Sequence, residues 1–100
     1  MTVVMLMDWE GLTPQQYDAA WRAVDWEADR PAGALSHIAW FSGTGLSVAE
    51  AWESVEHFER FLAARLLPET RRCGVCSEPI TEIYPAHRVV ALTREPASLS

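Results

Sequence analysis

Two histidines, one glutamate and a set of aromatic side chains are the residues of this chain best suited to chemistry. His37 and His87 are the pair of interest, because an imidazole in a pocket can act as general base or general acid near neutral pH. Glu50 lies between Val48 and Trp52 on one face of a predicted strand, so it reads as a partly buried carboxylate. A buried acid is costly unless paired, which makes it a candidate base. The alternative is that it pairs with an Arg or a His, Arg88 being one choice, at an exposed sheet edge. Trp9, Trp40, Trp52 and Tyr84, with Tyr17, can line an apolar pocket for a flat aromatic ligand. Filling of the core is the competing reading for the same rings. His57 falls on the polar side of a helix and reads as solvated.

Cys73-Gly-Val-Cys76 is a single CxxC. A closed zinc site needs four ligands, and no second CxxC or histidine pair follows, so no metal is expected. The motif sits in a polar stretch rather than at a helix start after a strand, unlike thioredoxin-type redox motifs. A structural or incidental role is the expectation, with a zinc site shared across a dimer as the alternative. No glycine-rich phosphate loop is present, and no cofactor motif is read.

Composition narrows the classes further. The chain has 100 residues, a net charge of −6 and a pI near 4.9. It has no basic stripe for nucleic acid and no run near the roughly 20 apolar residues of a membrane span. The N-terminus MTVVMLMDWE lacks a basic region and cleavage site, so a cytoplasmic protein with reduced cysteines is expected. Five tryptophans in so short a chain favour either an aromatic-lined pocket or an interface, with core packing as the alternative.

Elements must hold these residues in place. Thr2 to Met7 reads as a buried strand. Thr13, Pro14 and Gln16 form a capping box that opens a helix with Tyr17, Ala20, Trp21, Val24 and Ala28 on its apolar stripe. Trp26 lies opposite Tyr17 on that wheel and is expected to be exposed or in an interface. Leu35 to Phe41 and Leu46 to Trp52 alternate as strands about the turn Ser42-Gly43-Thr44-Gly45. Period two puts His37 on one face with Ala39 and Phe41, and Glu50 on one face with Val48 and Trp52. Ser54 caps a second helix carrying Val55, Phe58, Leu62 and Leu66, which Pro68 is expected to stop. Glu69 to Pro79 reads as a loop and Ile80 to Leu92 as the last strand, with Pro85 marking an edge, bulge or break.

The order is β-α-β-β-α-β, an α+β ferredoxin-like fold with a four-stranded antiparallel sheet and two helices on one face. Residues 1–92 are expected to form one domain and 93–100 a tail. The other face is too apolar to leave in water, so two sheets are expected to pack face to face as a homodimer. In this order the strands of His37 and His87 are not neighbours. They share a pocket only if both side chains point toward the helices.

The chain resembles the dimeric α+β barrel superfamily over roughly residues 3 to 91. The resemblance rests on Gly33-x-Leu35-x-His37-x-Ala39, Gly45-Leu46-x-Val48, the run Val48-Ala-Glu-Ala-Trp52-Glu53-Ser54, Phe58-x-x-Phe61 and Pro68. Val3-Val4-Met5, Tyr17 and Tyr84-Pro85-x-His87 fit it as well. It looks most like small bacterial proteins related to antibiotic-biosynthesis monooxygenases. That resemblance implies a pocket between helices and sheet, and a cofactor-independent oxygenation, cyclisation or isomerisation of an aromatic or polyketide-like metabolite. Trp52 matches a tryptophan of haem-degrading members, but Leu62 stands where their second helix carries its haem-ligating histidine. Haem degradation is therefore disfavoured. Two functions stay open: an enzyme with a histidine base, or a non-catalytic small-molecule-binding or structural dimer.

Overall fold

The computed structural model describes residues 1–90. Strands β1 (Val3–Glu10), β2 (Ala34–Ser42), β3 (Gly45–Trp52) and β4 (Ile80–Pro85) make one antiparallel sheet in the order β2-β3-β1-β4. Helix α1 (Pro14–Val24) joins β1 to β2. Helix α2 (Val55–Phe61), a π turn (Leu62–Leu66) and helix α3 (Leu67–Arg72) join β3 to β4. This is the expected ferredoxin-like α+β arrangement, with β2 and β4 at the two edges.

Alternation on the two central strands builds the core. Val3, Met5, Met7 and Trp9 on β1 are buried and pair with Trp52, Glu50, Val48 and Leu46 on β3. Helical residues Val24, Phe58 and Phe61 close over them. Trp9 and Trp52 are almost completely enclosed, at 1% and 0% exposure, so each contributes on the order of 2–3 kcal/mol of burial. The Trp9 Nε1–H also donates to Ser77, to its carbonyl at 3.2 Å and its Oγ at 3.1 Å. That ties the segment before β4 to the end of β1.

Among the described residues the reverse face of the sheet carries no helix. Leu6, Ile38, Trp40 and Tyr84 stand there with 38%, 63%, 47% and 49% of their surface exposed. These are large side chains on the one face that the described residues leave uncovered.

Several boundaries differ from the sequence reading, each for a local reason. Strand β1 continues past Met7 to Glu10, because β3 is long enough to pair with it down to Gly45. Helix α1 opens on its capping box, with Thr13 Oγ1 accepting from the Gln16 N–H and Gln16 Oε1 accepting from the Thr13 N–H. It stops at Val24, where Asp25 takes a left-handed conformation (φ 56) and donates its N–H to the Trp21 carbonyl. Ala28 therefore lies outside the helix and is exposed, and the chain reversal turns Trp26 into the core rather than outward.

Pro68 does not end the second helical rod. The π turn widens the backbone just before it, and Pro68 falls in the first turn of α3, where a missing N–H costs little. The stretch read as a loop from Glu69 is thus helical to Arg72. Strand β4 stops at Pro85, consistent with an edge strand broken by proline; the end expected at Leu92, and the tail, lie outside the described residues. His57 is half-buried rather than solvated, because it packs against Gly33. A Cβ built on Gly33 would come within 2.4 Å of the His57 ring.

Candidate functional site

Of the residues singled out in the sequence, Tyr17, His37, Glu50 and Trp52 come together. Tyr17 projects from the first turn of α1, His37 from β2, and Glu50 and Trp52 from β3. Strand register does the positioning, since His37 is directly opposite Glu50 across the β2–β3 ladder. His87 is elsewhere. It lies just past β4, exposed, at the opposite edge of the sheet, roughly 14 Å of strand spacing from β2. Trp40 and Tyr84 are on the uncovered face, and Tyr84 hydrogen-bonds Glu82 there. Trp9 lines the same interior as His37 but is fixed in the core. The structure thus brings together four of the eight residues and places Trp9 beside them.

The four are joined by a continuous line of hydrogen bonds. The Trp52 Nε1–H donates to Glu50 Oε1 at 2.9 Å, and Glu50 Oε2 is 2.5 Å from His37 Nδ1. The Tyr17 hydroxyl is 2.8 Å from His37 Nε2. A carboxylate only accepts, so with Glu50 ionised the imidazole carries its proton on Nδ1. Nε2 of the neutral ring is then an acceptor, and the phenol donates to it. Both Glu50 oxygens are engaged, which is how a carboxylate with 5% of its side chain exposed is tolerated. Of the partners considered from sequence, an Arg or a His, it is a histidine, His37, that pairs with Glu50, inside the fold rather than at an exposed edge; Arg88 is exposed beyond β4. Burial, then the negative charges of Glu50 and Asp18, push the Tyr17 phenol up to about 12. Tyr17 is therefore a neutral hydroxyl at physiological pH, able to hand a proton to His37 and accept one in return.

Aromatic rings enclose His37. The Trp21 ring centre is 4.5 Å from that of His37 and the Trp26 ring centre 5.3 Å, while Phe61 and Trp52 abut Trp26 edge-on. A cavity of about 40 Å³ lies between them, lined by His37, Tyr17, Glu50, Trp9, Trp21 and Trp26 among others. That is room for a water or two, well below the several hundred Å³ of a typical ligand pocket. Trp21 and Trp26 are lining aromatics that sequence reasoning did not assign to the site, Trp21 having been read as helix stripe and Trp26 as exposed or in an interface. For Trp26 the signal was absent because Asp25, not glycine, takes the left-handed position that ends α1.

Cys73 caps the C-terminal end of α3 and is half-buried; Cys76 is exposed; neither is in a disulfide. Among the described residues no three His, Cys, Asp or Glu side chains are grouped as a metal site.

A four-stranded antiparallel sheet with helices on one face is a ferredoxin-like α+β fold, and it is the fold that the comparisons bear on. No family model matches the sequence, and no curated protein matches it. Solved structures do match in fold. One is SnoaB, a cofactor-independent oxygenase from Streptomyces nogalater, with TM-score 0.58 and 16% identity over 89% of this chain and 94% of that one. Another, assigned to the antibiotic biosynthesis monooxygenases of Nitrosomonas europaea, gives 0.63 and 15% over 86% and 90%. A third is a hydroxynitrile lyase from Passiflora edulis, at 0.55 and 10% over 90% and 96%. An oxygenase and a lyase on one backbone mean that the fold leaves the chemistry to the side chains.

Proposed function

We propose that this protein is a cofactor-independent enzyme of the antibiotic-biosynthesis-monooxygenase type, acting on a small aromatic metabolite through proton abstraction by His37. The observation that carries this reading is the Tyr17–His37–Glu50–Trp52 hydrogen-bond line ending at an aromatic-walled cavity. Glu50 holds the imidazole in the Nδ1–H form and stabilises the imidazolium that appears when Nε2 takes a proton. Trp52 keeps Glu50 aimed. The substrate proton passes to the Tyr17 oxygen as the phenol proton moves to Nε2, or directly to Nε2 once Tyr17 swings aside. Either route leaves an electron-rich carbanion in a dry aromatic box, suited to reaction with dioxygen, to cyclisation or to isomerisation. Trp9 belongs to the wall of that box. His87, Trp40 and Tyr84 have no part in this version of the site.

The uncovered sheet face supports a homodimer with sheets packed face to face, Trp40 and Tyr84 serving the interface rather than the substrate. No helix among the described residues is long and apolar enough to cross a membrane; a cytoplasmic location is a further part of the proposal.

The size of the cavity favours a second reading, a non-catalytic binding or structural dimer in which His37 is a satisfied core residue. Oxygen uptake and product formation with reduced polycyclic phenols separate the two. The enzyme reading expects turnover that falls by about 100-fold or more in His37→Gln. Turnover equal in the variant, or absent with every aromatic tried, supports the second reading.

A further inference from the structure

Trp21 differs from Trp9 and Trp52 in how it is held. The N–H groups of Trp9 and Trp52 point inward to Ser77 and Glu50, whereas that of Trp21 donates to exposed Glu27 at 3.3 Å. Its ring is half-buried, yet three aromatic faces receive it. It lies nearly parallel to Tyr17 (ring centres 6.0 Å apart, planes at 17°) and to Trp26 (5.6 Å, 22°), and it covers His37 at 4.5 Å. These are the separations of favourable offset stacking. The same ring borders the 40 Å³ cavity, so its rotation outward would add the space of one indole to that void. The walls left behind would be Tyr17, Trp26 and His37, already arranged around a flat ring.

We infer that Trp21 is a gate occupying the ligand's own place, latched by Glu27, and that the ligand is a planar two-ring aromatic bearing a hydroxyl or an acidic C–H. The inference rests on the reading of this cavity as a small-molecule site and narrows it. The space of one indole plus the void suits two fused rings and excludes a tetracyclic polyketide. Tyr17 and His37 are the polar groups such a ring would meet, so its ionisable group is directed at them.

The test uses the whole protein with indole and 2-naphthol as probes, followed by calorimetry and NMR. Glu27→Ala, a surface change, is expected to tighten 2-naphthol binding several-fold by freeing the latch. Trp21→Ala is expected to bind indole about tenfold or more tighter than the parent protein does, as an engineered apolar cavity would. In the parent protein, binding is expected to move the Trp21 indole N–H and His37 ring signals together. Affinities unchanged in both variants, or a saturated complex with Trp21 unmoved, would overturn the gate. Should Trp21→Ala not fold, Glu27→Ala decides alone. Binding that responds to these variants without turnover of any aromatic removes catalysis and keeps the gate. Turnover that depends on His37 but is indifferent to Glu27 and Trp21 does the reverse.

Discussion

At the scale of single residues, the site is a set of polar groups that satisfy one another in an apolar surround, and two substitutions expose what each contributes. Trp52→Ala removes a fully enclosed indole and strips Glu50 Oε1 of its donor, so a loss of about 3–5 kcal/mol in urea unfolding is expected. Trp52→Phe keeps most of the ring volume and loses only the N–H, and should cost about 1–3 kcal/mol. Tyr17 makes a pH prediction. Its phenol ionises near 12 in the folded chain and near 10 when unfolded. Between those values the unfolded chain has already released the proton and the folded one still holds it. The stabilisation is therefore complete below pH 10 and is lost as pH rises toward 12. Denaturation midpoints measured across that range should fall in the parent protein and fall less steeply in Tyr17→Phe.

At the scale of elements, the turns set where the side chains arrive. Gly33 sits at φ +83 against the His57 ring, and its carbonyl accepts the Glu53 N–H at 2.8 Å, joining the entry to β2 with the exit from β3. Gly33→Ala should cost about 1–3 kcal/mol in thermal or urea unfolding, from backbone strain plus displacement of His57. The hairpin and the face each residue takes on its strand were legible in the sequence, through period-two alternation about the Ser42–Gly45 turn, whereas the register that sets His37 opposite Glu50 came from the structure. Nor were the ends of the helices legible. Proline at 68 reads as a stop, yet the π turn before it lets the rod continue. Asp25 supplies a left-handed stop that composition does not announce, and Trp26 was misdirected as a result. His87 was a candidate for a pocket shared with His37 only if both side chains pointed toward the helices; the edge-to-edge separation of β2 and β4 keeps it away.

At the scale of the whole molecule, one sheet face is covered by helices and the other is left uncovered by the described residues. Light scattering at micromolar concentration should give twice the chain mass. Trp40→Glu, which sets a charge in the middle of the uncovered face, should give a monomer that keeps the His37 site intact. A monomeric parent protein would remove the dimer from the proposal. The tryptophans also act across the molecule in a way no single site describes. Trp21, Trp26 and Trp52 stand in series, with ring centres 5.6 and 5.7 Å apart, and His37 touches the first two. Trp26 is the middle ring of that series and also meets Phe61 edge-on, so a change at this one position loosens the wall of the cavity and the floor beneath Trp52 together.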